Sequence, residues 1–238
     1  MRHFYRALGI ALLTLALAPS SRGGDVTVGN ISSGERSFFP FGGAYATGQE
    51  ATEYQQVYLG SLFDTSPFLI GSVTFYAAPG FAPALNADGT YTLSLSTTTA
   101  PVGGLSTNFA SNVGPDSYTF FSGMLPPSVS TTMTFTLPTA FDFNPTAGNN
   151  LLLDVTFTGV TNDSVAYYVA QDGDFGMLSS RMVNGSASGM TGYGLVTTFG
   201  GAGAPTIVPE PSSLGLGFAA VGSLAFAGFF WRRRRAEV

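Results

Sequence analysis

Leu151-Leu152-Leu153-Asp154-Val155-Thr156-Phe157-Thr158 sets Leu151, Leu153, Val155 and Phe157 on one side of an extended chain and Asp154, Thr156 and Thr158 on the other. An apolar face repeating every second residue belongs to a half-buried strand, because side chains along a strand alternate between its two faces. The same period recurs on both sides of this stretch. Tyr91-Thr92-Leu93-Ser94-Leu95-Ser96 and Thr132-Met133-Thr134-Phe135-Thr136-Leu137 alternate without error, and residues 69–77 point Val73 and Phe75 one way. Val165, Tyr167 and Val169 repeat the pattern, and 54–59, 118–121 and 193–199 are further strand candidates. Thr, Tyr, Phe and Val fill these runs while Gly, Pro, Asn and Asp collect between them, which is the composition of strands joined by turns.

No helical stripe of useful length interrupts residues 24–208. Eight to ten short strands, each with one apolar face, must bury those faces against one another, and two antiparallel sheets are the simplest solution. The expected fold is all-β: an antiparallel β-sandwich, jelly-roll-like. Phe75, Leu93, Phe135 and Val155 belong in its core, at about 1.5 to 3 kcal/mol for each side chain buried.

Beyond this body the C-terminus changes character. Val208-Pro209-Glu210-Pro211-Ser212-Ser213 leads into an uncharged stretch, 214–231, that ends at Arg232, Arg233, Arg234 and Arg235. Eight of its eighteen positions are Leu, Val or Phe, contributing roughly −4 kcal/mol toward insertion, partly offset by four glycines. As a helix it spans roughly 27 Å, enough for a thin bilayer. Arginines beside a membrane helix stay on the cytoplasmic side, so everything before Pro209 is expected outside. The two prolines hold Glu210 in an extended segment open to a protease cleft, and Ser212 or Ser213 is placed to cap the helix. Gly215, Ala219, Ser223 and Ala227 fall four apart, as a packing ridge for another helix would, though a segment so rich in Gly and Ala produces such alignments by chance. These residues alone fit an ordinary single-span anchor as well as a processed sorting signal.

The three ordered elements, VPEPSS, a Gly-rich apolar run and RRRR, resemble the PEP-CTERM sorting domain of Gram-negative bacteria, with Pro209, Glu210 and Pro211 in the place of its signature. The resemblance implies recognition in the inner membrane by an exosortase, a multi-spanning cysteine protease-transpeptidase that releases its substrate or passes it to another carrier. It also implies an organism that makes exopolysaccharide and biofilm, with this chain as a substrate of the sorting system. A shorter stretch, from Asn144 to Val155, is similar to a turn-plus-strand of many PEP-CTERM ectodomains and implies a β-sandwich passenger.

At the other end, Arg2, His3 and Arg6 precede an apolar run, 7–18, of secretory signal length. The expected division is a signal peptide with its helix over 1–23, cut between Ser20 and Gly24, an ectodomain over 24–204 and a sorting tail over 205–238 with its transmembrane helix at 214–231. An uncleaved N-terminal anchor is the alternative.

Composition removes whole classes of chemistry. Between Gly24 and Val208 the only cations are Arg36 and Arg181, set against twelve carboxylates for a net charge of −10, and the chain has no lysine. Such a surface repels phosphate backbones, so no nucleic-acid partner is expected. Cysteine is absent, which excludes disulfides, thiolate metal sites and thiol nucleophiles. The one histidine, His3, sits in the segment expected to be removed, leaving the exported part without imidazole for triad catalysis or zinc.

The remaining candidates are sparse. Glu35, Glu50, Glu53, Asp64, Asp116 and Asp154 could furnish the two carboxyl groups of a glycoside hydrolase, yet nothing in the sequence pairs any two at the required separation. Asp154, opposite the inward row of its strand, is expected exposed or near a turn. No metal site is expected, and Asp172, Asp174 and Asp88 are weak calcium candidates because Asp-Gly is also the ordinary hairpin signal. Tyr45, Tyr54, Tyr58, Tyr167 and Tyr193 are sugar-stacking candidates that more often pack as strand residues. Asn30, Asn162 and Asn184 fit Asn-x-Ser acceptors of no expected use in a bacterium.

The reading is an exported structural or interaction protein, sorted to the cell surface or matrix. It is not an enzyme, needs no cofactor, and has an exosortase, transiently the inner membrane and an exopolysaccharide as its candidate partners. A polysaccharide-binding module is the rival, and a carboxylate-based glycoside hydrolase a distant third.

Overall fold

The computed structural model describes residues 24–42, 52–63, 67–80, 88–129, 131–160, 166–171, 178–183, 190–191 and 194–202. The expected signal helix, the PEP segment and the apolar stretch 214–231 lie outside them; among the described residues no helix is long and apolar enough to cross a membrane. Twelve strands lie among the described residues: β1 (Val26–Val28), β2 (Arg36–Ser37), β3 (Glu53–Tyr58), β4 (Phe68–Tyr76), β5 (Thr90–Thr98), β6 (Tyr118–Gly123), β7 (Thr132–Phe143), β8 (Asn150–Thr158), β9 (Tyr168–Val169), β10 (Ser179–Val183), β11 (Met190–Thr191) and β12 (Thr197–Gly201).

All the pairings are antiparallel. One sheet runs β1-β12-β4-β7, a second β11-β10-β3-β8-β5-β6, and β2 pairs with β9. With β2, β9, β10 and β11 set aside, the remaining strands run first-eighth-third-sixth in one sheet and second-seventh-fourth-fifth in the other. That interleaving is the strand order of a jelly roll. The expected sandwich is therefore present, with β10 and β11 inserted between the seventh and eighth strands and added outside β3.

Registers put the expected inner rows in place. Phe199, Val73 and Phe135 align across one sheet and Tyr54, Val155 and Leu93 across the other, all buried. Between the sheets Tyr58 meets Phe199 edge-on at 4.9 Å, while Phe63 sits 5.0 Å from Phe143. Offset and edge-on ring pairs of this kind add about 0.5–1.5 kcal/mol each beyond the area they bury. Phe41, from the segment after β2, lies 5.0 Å from Phe75 and 5.4 Å from Tyr168.

Two irregularities follow from single residues. Pro138 has no N–H to give a ladder, and it stands in β7 where residues 137–140 bulge opposite Gly71, between the Phe141–Ile70 and Thr136–Ser72 pairs. In β6 the register slips between Phe121, opposite Leu93, and Thr119, opposite Ser94, leaving Phe120 as the extra residue. The slip brings both Phe120 and Phe121 against Phe135, at 6.1 and 4.9 Å. The expected turn before β8 is a single 3-10 turn, Pro145–Ala147, whose first N–H groups are met by the Asn144 side chain accepting from Thr146 N at 3.0 Å, and which ends on Gly148 at φ +74.

Other expectations need correcting. The row Val165, Tyr167, Val169 holds only at Val169, which is buried: its neighbour Tyr168 is fully buried too, bridged to Ala77, while Tyr167 turns to the ring of Phe38 and the guanidinium of Arg36, and Val165 is outside the described residues. In the described part of the candidate 193–199, Leu195 makes an isolated bridge to Ala170 and the strand runs from Thr197; Tyr193 lies outside the described residues. The outer face of the larger sheet is not simply a solvated surface. Val57 and Leu152 point outward there and are nonetheless fully buried, because residues 99–117 lie across it as a strap. Gly114 N donates to Ser96 Oγ on β5, Gly103 N to Ser180 Oγ on β10, and Asn112 reaches Gln55 on β3.

The described body begins and ends in one place. Val26 on β1 faces Phe199 on β12, and Asp25 Oδ1 accepts a hydrogen bond from Gly201 N at 3.4 Å.

Candidate functional site

Of the carboxylates singled out by composition, the fold joins two. Gln55 on β3 stands opposite Asp154 on β8, with Glu53 one outward position further along. The Glu53 and Asp154 carboxyls hydrogen-bond to each other, a contact that favours the protonated form of Glu53. Burial pushes Glu53 up from the ordinary 4.5 to about 7, and the Asp154 charge and the bond to Asp154 push the same way. Burial also raises Asp154, against the hydrogen bonds from Gln55 and Glu53.

Gln55 links this pair to the strap. Its Nε2 donates to Asp154 Oδ1 at 3.3 Å and to Phe109 O at 3.2 Å, and its Oε1 accepts from Asn112 Nδ2 at 2.7 Å. Asn112 also closes its own loop, donating to Ser106 O and accepting from Ser106 N. Asp154 is thus not the exposed or turn-adjacent residue that its strand position suggests. It is mid-strand and half-buried at the strap's margin. Two carboxyls in direct hydrogen-bonded contact leave no room for a glycosidic bond, which acid and base flank at about 5 to 9 Å.

Among the described residues the remaining acidic candidates do not converge on them. Asp116 fastens the end of the strap by accepting from Thr97 N at 2.9 Å and Thr97 Oγ1 at 3.0 Å. Asp88 is exposed at the turn before β5, and Asp172, Asp174, Glu50 and Asp64 lie outside the described residues. Among the described residues no group of three acidic or histidine side chains is placed to hold a metal ion. Tyr54 and Tyr58 are fully buried and offer no platform to a sugar; Tyr45 and Tyr193 lie outside the described residues. Asn30 uses its side-chain oxygen to accept from Ser32 N in a tight turn. The sorting residues Pro209, Glu210, Pro211 and Arg232, Arg233, Arg234, Arg235 also lie outside the described residues.

Sequence reasoning missed a groove of about 420 Å³ at one margin of the sandwich, between β6 and β7. Phe120, Phe121 and Phe135 floor it, Pro126 and Val129 flank it, and β7 from Thr132 to Thr136 forms one wall. Its signal in the sequence was the adjacent Phe120-Phe121, which breaks the alternation of β6, but only the observed slip in register turns both rings to one side.

The family described as the PEP-CTERM protein-sorting motif matches residues 208–235. No curated relative matches the chain, and no solved structure does.

Proposed function

We propose, from the premise that residues 208–235 are a PEP-CTERM protein-sorting motif and so mark an exported, membrane-anchored precursor processed by an exosortase, that the β-sandwich is a structural or interaction module delivered to the cell surface or extracellular matrix. It works by contact and not by catalysis, and its setting is an exopolysaccharide or biofilm matrix. The observation that carries this reading is the match of the sorting motif to the tail, in which a Pro-Glu-Pro spacer, a neutral run of bilayer length and four arginines follow one another. The composition of the exported part supports a non-catalytic role, since it has neither histidine nor cysteine.

Glu210→Ala tests the sorting step. In a host that makes an exosortase, the variant is expected to accumulate as a full-length, membrane-retained precursor on an immunoblot of fractionated cells. Maturation indistinguishable from the parent protein would reject a recognition role for Glu210. Retention of the exported form on an immobilised neutral polysaccharide would favour the binding-module reading over a purely structural one.

A further inference from the structure

Among the described residues, the margin where β6 and β7 lie is the one left open. Each ends its sheet, whereas the opposite margins end in β1, three residues long, and β11, two residues long. A long free edge is a template for another strand unless something blocks it, and natural edges are usually blocked by charge, proline or a bulge. Half of β7 is blocked in this way: the 137–140 bulge contains Pro138, Tyr118 Oη accepts the Thr139 N–H at 3.1 Å, and Asp142 adds charge. The other half, Thr132-Met133-Thr134-Phe135-Thr136, carries no charge, no proline and no bulge, and among the described residues nothing pairs with its outer side. It also borders the phenylalanine-floored groove.

We propose that this segment of β7 is a homotypic docking edge, pairing antiparallel with the same segment of a second copy about a two-fold axis through Thr134. The segment is its own complement. Antiparallel pairing about Thr134 sets Thr132 opposite Thr136 of the partner copy and Met133 opposite Phe135, so hydroxyls stay on the outer face and apolar side chains on the inner one. A one-residue slip would destroy that match. The outer row Thr27, Thr198, Thr74 and Thr134 already runs across all four strands, with Thr27 and Thr198 bonded at 2.7 Å and Thr74 and Thr134 at 2.9 Å. The joined sheets would continue it without interruption. Beneath the joint, the part-buried ring of Phe121 in the groove floor gains cover. The joining segment is uncharged although the exported part carries −10, so carboxylates repel across the dimer without standing in the seam, and added salt should promote pairing.

The full-length chain in detergent, which has no native cysteine, gives a clean background for cross-linking. Thr134→Cys with a short bis-maleimide is expected to yield a covalent dimer on denaturing gels, increasing with salt. Thr27→Cys, on the far edge of the same sheet, serves as the control for association through the tail and should remain monomeric. Adding Thr132→Lys and Thr136→Lys to Thr134→Cys places like charges directly opposite and should cut the dimer about tenfold. Thr132→Lys with Thr136→Glu places opposite charges there and should restore it. These substituted positions are exposed on the outer face, and unchanged circular dichroism checks that each variant folds. Equal cross-linking through Thr27→Cys, indifference to the two lysines, or no rescue by the lysine–glutamate pair would overturn the proposal.

Discussion

Gln56 shows how much a single side chain holds here. It points inward from β3, and its amide takes the place of a missing backbone partner: Oε1 accepts from Leu195 N at 2.8 Å and Nε2 donates to Leu195 O at 2.9 Å, with Tyr54 Oη donating to the same Oε1 at 2.5 Å. Because Leu195 stands two residues before β12 of the other sheet, this amide ties the sheets together through a fully buried contact. Gln56→Leu keeps the volume but strands the buried Leu195 peptide group and takes one partner from the Tyr54 phenol, so urea unfolding should report a loss of about 2–4 kcal/mol. Glu53 makes a different prediction. Its folded-state value near 7 lies above the ordinary 4.5, so between those limits the native state keeps a proton that the unfolded chain has released. The stabilisation is complete below about pH 4.5 and is lost as pH rises through 7. Because Glu53 is partly solvated, the melting temperature should fall by only on the order of a degree or two from pH 5 to pH 8, and Glu53→Gln should flatten that slope.

Among the elements, the strap most changes what the strands beneath it mean. β3 and β8 each carry apolar residues on both faces, a pattern that fits neither a solvated sheet nor a simple sandwich until residues 99–117 cover Val57 and Leu152. Polar contacts hold the strap down, and Asn112 makes the central ones, so Asn112→Ala should loosen 99–117 while leaving the sandwich folded. Hydrogen exchange at Ser106 and Gly114, whose N–H groups donate to Asn112 and Ser96, should accelerate by about tenfold, with β8 amides unchanged. The long strands β4, β5, β7 and β8 were legible because alternation depends only on near neighbours along the chain. The short strands β1, β2 and β10 were not, and β9 was read without its fully buried Tyr168. Ser179-Ser180-Arg181-Met182-Val183 has no apolar alternation, and the burial of Ser180 and Val183 comes from partners far away in sequence. Gln55 and Gln56 likewise read as ordinary polar strand residues, and nothing local announces that one anchors the strap while the other bridges the sheets.

For the molecule as a whole, period-two runs bounded by turns indicated two antiparallel sheets, and the observed strand order makes them a jelly roll. The tail's physics alone fits any single-span anchor; it was legible as a sorting signal because its three parts stand in the order of a known motif, which matches residues 208–235. The acidic pair and the open margin were not, since each depends on register: one joins side chains a hundred positions apart, and the other needs a one-residue slip in β6. Register also settles where the body begins and ends. With Val26 beside Phe199 and Asp25 bonded to Gly201, both chain ends issue from a single pole. No described strand pairing involves a residue before Val26 or after Gly201, so a body cut back to 24–202 would keep every rung of both sheets.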